Sequence, residues 1–350
     1  MYEGFYKLKE NPFRLSPDPS YLCMTAQHRE ALAGLVYSLC NDVGLAVLVG
    51  EAGTGKTTLL YSLLNLLERR RFVTAMINNP TMSRAEFYDF MLAKLEVECP
   101  SALKSRQLLA LEDALRRNLA AGRPSVLIVD EAQRLPTELL EEIRLLLNLE
   151  TPKEKLLRMV VSGQPELVEI LRRPEMRQLK QRISCLCKLD PLSLEELEEY
   201  VNHRLLMAGM AAQTLFSREN IALIYGCTGG IPRLVNSVCD GALRTGFGLQ
   251  SRFITEVIIR EAAKDLDLDS ELEGGRKGLP ETNRTEKRDG ERVPKDGDRG
   301  PKAVASSTAV LNGSNGSHAN GTNGAQLPLE SYASRQKSLG FLAGLMDRWK

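Results

Sequence analysis

The stretch Gly50-Glu51-Ala52-Gly53-Thr54-Gly55-Lys56-Thr57 has the spacing G-x-x-x-x-G-K-[ST] of a phosphate-binding loop. Its glycines let backbone N–H groups face the α- and β-phosphates of a nucleotide, and a following helix offers its positive N-terminus to the same charge. Lys56 is placed to reach the β- and γ-phosphates, and the Thr57 hydroxyl to ligate Mg²⁺. Thr58 closes the nucleotide-contacting stretch. A second motif lies downstream, where Val126-Leu127-Ile128-Val129 runs into Asp130-Glu131. An apolar strand ending in two carboxylates suits one of them, Asp130, to holding Mg²⁺ and the other, Glu131, to polarising a water. Together the motifs predict hydrolysis of a nucleoside triphosphate.

The flanking residues supply the elements such a site needs. Leu45 to Val49 is a short apolar run rich in β-formers, so a strand leads into the loop. Thr57 to Arg69 reads as a helix, with Leu59, Leu60, Leu63, Leu64 and Leu67 at helical spacing. Further strands are expected at 72–77, 157–161 and 183–189, and helices at about 84–97 and 105–121. Alternating strands and helices predict an α/β fold with a parallel sheet covered on both faces. The nucleotide belongs at the carboxyl ends of its strands. A strand interposed between the two motif strands, and Glu directly after the metal-binding Asp, resemble the ASCE branch of P-loop NTPases.

After Asp190-Pro191-Leu192 the periodicity is helical throughout, at 194–207, 217–225, 231–243 and 254–263. Ser193 with Glu196, and Ser217, are expected N-caps. This divides the chain into an ATPase core at 1–190 and a small all-α lid at 191–268. Residues 269–334 are charged and Gly-, Asn- and Ser-rich, and lack the apolar content to fold alone. At 335–350, Leu339, Phe341, Leu342, Leu345, Met346 and Trp349 group on one side of a helix flanked by basic residues. That pattern suits docking on a partner or a membrane surface.

The bulk numbers agree with a soluble enzyme. The chain has 350 residues, a formal net charge of +1 and a hydrophobic fraction of 43%, with no overall basic excess to mark a nucleic-acid binder. Seven cysteines at scattered spacings are expected to be reduced. Cys185 and Cys187 share one strand face and are read as small buried residues, since no histidine cluster completes a metal site. The N-terminus shows no basic region followed by an apolar core, and no run approaches a membrane span. The expected location is cytoplasmic, with possible peripheral contact at the inner membrane through 335–350.

Several further stretches resemble one family. Met1-Tyr2-Glu3-Gly4-Phe5-Tyr6, Asn11-Pro12-Phe13, Pro17-Asp18-Pro19 and His28-Arg29-Glu30-Ala31-Leu32 are similar to the ExeA/GspA-type secretion ATPases of the AAA+ superfamily. Gly163-Gln164-Pro165-Glu166-Leu167, Leu179-Lys180-Gln181-Arg182-Ile183 and Gly229-Gly230-Ile231-Pro232-Arg233 continue the likeness, which covers about residues 1–268. Within that family the chain looks most like the subgroup associated with exopolysaccharide and exosortase (PEP-CTERM) loci. The resemblance implies an ATP hydrolase that works as a homo-oligomer on an export complex. It implies that Gln164 is the sensor 1 residue, with Ser162 as a rival. Arg182 becomes the arginine finger reaching a neighbouring subunit, with Arg177 as a rival, and Arg233 the sensor 2 arginine. Asn11 to Phe13 and the His28-Arg29 pair are expected beside the adenine, core packing being the alternative for Phe13. A different function on the same core is that of DNA-binding transposition helpers of the TniB type. A third is a slow nucleotide-dependent switch that recruits partners.

Overall fold

The computed structural model describes residues 1–41, 44–78, 81–210 and 215–268. The linker expected at 269–334 and the helix expected at 335–350 lie outside these residues. The described part falls within one compact unit.

Five parallel strands form one sheet: β1 (Leu45–Gly50), β2 (Val73–Ile77), β3 (Ser125–Val129), β4 (Leu157–Gly163) and β5 (Ile183–Leu189), in the order β2-β3-β4-β1-β5. The strand standing between the two motif strands β1 and β3 is therefore β4. The run at 73–77 pairs instead with the outer side of β3, from Val73 opposite Ser125 to Ile77 opposite Val129. Residues of β1, β3 and β4 are all buried, which is why these strands are mostly apolar, with Ser125, Arg158 and Ser162 as the exceptions. At the edge, β5 alternates, with Leu186 and Lys188 exposed and Cys187 and Leu189 buried.

The helices among the described residues run in chain order. They are α1 (Glu3–Tyr6), α2 (Ala26–Cys40), α3 (Lys56–Arg69), α4 (Arg84–Lys94), α5 (Lys104–Ala120), α6 (Thr137–Leu146), α7 (Glu166–Arg172) and α8 (Arg177–Lys180). Beyond β5 come α9 (Leu194–Met207), α10 (Arg218–Thr228), α11 (Pro232–Gly248) and α12 (Glu256–Lys264). Ser193 caps α9 in a reciprocal box, its hydroxyl accepting from Glu196 N at 3.2 Å and its own N–H donating to Glu196 Oε2 at 3.1 Å. Such a cap is worth about 1 kcal/mol. Ser217 caps α10 through Asn220 N at 3.3 Å.

Apolar side chains collect in two cores. One lies under the sheet and includes Leu45, Val47, Leu127, Val129, Met159 and Val161. The other lies among α9–α12 and takes in the N-terminal residues Tyr2, Tyr6, Leu8 and Phe13. The two ends of the described chain are thus packed together, with Tyr2 Oη and Asn11 Nδ2 both donating to Asp240 on α11.

Candidate active site

The loop from Gly50 to Gly55 joins β1 to α3, and its backbone takes conformations that demand glycine. Gly53 has φ +87° and Gly55 φ +97°. A Cβ on Gly53 would sit 2.7 Å from Arg233 Cβ and 3.2 Å from Ile231, so this position is needed for close approach as well. Thr54 is buried, its hydroxyl donating to Glu51 O at 2.9 Å. Lys56 opens α3 with its ammonium donating to the carbonyls of Gly50 and Glu51, each at 2.8 Å. Burial pushes its pKa below the ordinary lysine value, opposed by the carboxylates of Glu131 and Asp130.

Next along α3, the Thr57 hydroxyl donates to Asp130 Oδ2 at 2.7 Å, so the side chains of the two motifs meet. Asp130 is almost fully buried, and its other oxygen accepts from Glu131 N at 3.0 Å. Glu131 sits in the left-handed region at φ +56°, unusual for a residue with a side chain. Strain of this kind persists only where the surroundings fix it, and it often marks a working site. The Glu131 carboxylate is held from two sides: Gln133 Nε2 donates to Oε2 at 2.8 Å, and Gln164 Nε2 to the same oxygen at 3.4 Å. Gln133 Oε1 in turn accepts from Gln164 N at 3.1 Å. One amide therefore ties the end of β3 to the end of β4. The Ser162 side chain is buried, with its hydroxyl unpartnered, and has no such contact with Glu131.

A cavity of about 420 Å³ opens over this cluster, a size suited to a nucleotide. Ala52 through Thr58, Glu131 and Gln164 form its floor, while Gly50, Glu51 and Asp130 lie outside the lining. Arg233 enters from the first turn of α11, its N–H donating to Gly53 O at 3.2 Å. The break that places it is Gly229-Gly230. Gly230 has φ +76° and a Cβ there would collide with Leu192 O, so α11 can start where Pro232 and Arg233 face the loop. Further wall comes from residues 14–18 and 21–23, and from Arg134, Leu192, Tyr200, Arg204 and Asn236.

Of the residues expected beside the base, only His28 lines the cavity. Its Nδ1 is 2.8 Å from the Thr25 hydroxyl, and burial lowers its pKa. Phe13 is buried with its ring against Phe216, Asn11 is turned to Asp240, and the Arg29 guanidinium bonds to Met24 O. Arg182 is not brought to the cavity. It precedes β5 at the amino end of the sheet, where its Nη2 donates to Asn148 Oδ1 at 2.7 Å. Arg177, exposed at the start of α8, is also outside the lining.

Two contributors escape sequence reasoning. Gln133 carried a signal, a long amide two positions after the carboxylate pair. Arg204 carried none: it reads as one of many charged residues on a helix, yet it is buried, donating to Pro12 O, Arg14 O and Tyr200 Oη while its guanidinium lies 5.0 Å from the Tyr21 ring. It ties α9 to the N-terminal segment that forms the cavity wall.

The donor set fits a nucleotide and its magnesium. The glycine-shaped cradle admits phosphate against backbone, Lys56 supplies charge, and the Thr57–Asp130 oxygen pair is hard oxygen chemistry suited to Mg²⁺. The model of the AAA domain family matches residues 40–171. Residues 40–171 are thus an AAA domain. It is 42% identical over 267 residues to the general secretion pathway protein A of Aeromonas hydrophila, an alignment that covers 76% of this chain. The chain spans about half the length of that curated relative, 48% of it. Among solved structures it is similar to the Aeropyrum pernix ORC2 protein (TM-score 0.58, 16% identity, 78% of this chain and 75% of that one). It is also similar to Cdc6p from Pyrobaculum aerophilum (TM-score 0.58, 21% identity, 74% and 71%). At these identities the likeness is one of fold.

Proposed function

We propose that this chain hydrolyses Mg²⁺-bound ATP at the loop Gly50–Thr58 and uses the cycle to assemble or energise a secretion system. The observation that carries the hydrolytic part is the convergence of Lys56, the Thr57–Asp130 pair and the Glu131–Gln133–Gln164 cluster at the carboxyl ends of neighbouring strands. Thr57 and Asp130 would hold Mg²⁺, which would supply charge neutralisation at the phosphates. Lys56 and the backbone amides of the loop orient the β- and γ-phosphates. Glu131 orients and deprotonates the attacking water, and Gln164 acts as sensor 1 beside it. Arg233 reads the nucleotide from α11 and couples it to helices α9–α12, a lid at 191–268 whose apolar core also takes in Tyr2, Tyr6, Leu8 and Phe13 from the ATPase core at 1–190. Arg182, far from its own loop, acts on the γ-phosphate of a neighbouring copy, so the active unit is a homo-oligomer.

The secretion assignment rests on the likeness to general secretion pathway protein A. Within it we propose exopolysaccharide export, on the resemblance to that subgroup. Among the described residues no helix is long and apolar enough to cross a membrane. We place the protein in the cytoplasm and assign contact with the export complex or inner membrane to residues 335–350. The test pairs two measurements on the full chain. Lys56→Ala should lose nucleotide binding, read by fluorescent-nucleotide titration. Wild-type turnover should rise with inner-membrane vesicles carrying export components and not with duplex DNA. Stimulation by DNA alone would replace the secretion reading with the transposition-helper one.

A further inference from the structure

The edge strand β5 carries two thiols that ATP chemistry does not use. Cys185 and Cys187 point to the same side of the strand, their sulfurs 3.3 Å apart. Cys187 is buried against α2, with its thiol toward Ala31 O at 3.5 Å, while Cys185 is half-buried. The pair faces a position without a side chain. A Cβ on Gly34 would stand 3.1 Å from Cys187 Sγ and 3.2 Å from Cys185 Sγ, so α2 comes close only because residue 34 is glycine.

Two residues along a strand separate Cα atoms by about 6.6 Å. That is the upper end of the span a disulfide accepts, about 4.4–6.8 Å, and the two Cβ atoms must also be drawn together to about 3.5–4.5 Å, so a bond bends the strand locally. The strand has an irregular step beside the pair: against β1, Leu45 is opposite Ile183 but Ala46 is opposite Cys185. We propose that Cys185 and Cys187 are a reversible dithiol site, oxidised by a peroxide to an intrachain disulfide that distorts β5 and lowers ATP turnover.

Chemically, the Cys185 thiolate attacks one oxygen of hydrogen peroxide, the O–O bond breaks, and hydroxide leaves to give a sulfenic acid. The Cys187 thiol then attacks that sulfur, the S–O bond breaks, and water leaves as the S–S bond forms. The net change is two thiols and one peroxide to one disulfide and two waters. The hydrogen bond from Cys187 favours the thiolate of Cys185 and holds its pKa below the ordinary cysteine value, and that form is the nucleophile. The consequence for turnover rests on the reading of Arg182 above. β5 begins directly after Arg182 and ends at Leu189, shortly before α9, so shortening it moves both the finger and the entry to the helices.

The experiment uses the full chain treated with hydrogen peroxide and then an alkylating agent. Trypsin should release Ile183–Lys188, which holds both thiols and no other cysteine. The disulfide predicts that peptide unalkylated and lighter by two hydrogens, restored to a doubly alkylated form by dithiothreitol. Phenylarsine oxide, which needs two adjacent thiols, should bind there and fail with Cys185→Ser or Cys187→Ser. Oxidised wild type should lose several-fold in turnover and regain it on reduction, while Cys185→Ser, active as wild type when reduced, should not respond. A peptide that stays doubly alkylated overturns the site. A disulfide that leaves turnover unchanged overturns the switch. Reduced protein without ATPase activity would instead sink the hydrolytic reading, and the mass measurement would still decide the dithiol.

Discussion

If each arginine serves a neighbour, as proposed, Arg182→Ala should silence ATP turnover without touching nucleotide binding. Ile183, directly after it, pairs with Leu45, whereas the phosphate loop follows Gly50, paired with Leu189. Five steps of β1 at about 3.3 Å each put about 17 Å between the arginine and its own loop, farther than its side chain spans. A finger supplied in trans is worth about 10³-fold or more in phosphoryl transfer, so the homogeneous variant should fall by that order. Lys56→Ala should be inactive for the opposite reason, lacking the loop lysine but keeping the finger. In an equimolar mixture, an Arg182→Ala subunit keeps an intact loop and half of its neighbours offer an intact arginine. About a quarter of interfaces are then complete, and turnover should recover to about that fraction of wild type. The assay is phosphate release at fixed total protein, with subunit mixing verified by cross-linking. No recovery in verified mixed oligomers would refute the reasoning and leave Arg177 as the candidate.

Gln133→Ala removes a hydrogen bond to a carboxylate, worth about 1.5–3 kcal/mol, and should lower kcat about 10- to 100-fold with nucleotide affinity unchanged; an unchanged kcat would remove Gln133 from the site. His28 supplies a pH test. Its folded pKa is pushed by burial below the unfolded value of about 6.5, so the unfolded chain binds more protons beneath that pH and stability falls as pH drops. Between pH 7.5 and 5.5 the wild-type Tm should therefore fall more steeply than that of His28→Gln, and parallel slopes would count against the buried neutral imidazole.

The chemistry was readable where it is local. The phosphate loop and the Asp130-Glu131 pair are contiguous motifs, and the structure joins them through the Thr57–Asp130 hydrogen bond. All five strands were legible, the inner ones as mostly apolar runs and β5 by alternation, but their order was not. Which strand becomes the neighbour of β1 depends on how the crossover helices pack, and no residue of 157–163 states that it lies between the two motif strands. The helix at Ala26–Cys40 went unread although the Thr25 cap is local and its buried positions Ala31, Leu32, Leu35, Val36 and Leu39 follow helical spacing. Phe13 shows the limit of local reading: a ring near the nucleotide segments looked like an adenine contact, and its partners came from residues some 200 positions away. Arg204 is the extreme case, a buried cation whose acceptors are backbone carbonyls of a distant segment.

We propose that Glu131, its carboxylate held by Gln133 and Gln164, activates the water that cleaves ATP. The direct measurement compares wild type and Glu131→Gln, in the full chain, by equilibrium nucleotide binding and by single-turnover hydrolysis of Mg²⁺-ATP. The amide keeps the shape of the side chain and loses its basicity, so binding should match wild type while the hydrolytic rate drops by about 10²- to 10⁴-fold. Near wild-type hydrolysis by Glu131→Gln would contradict the claim.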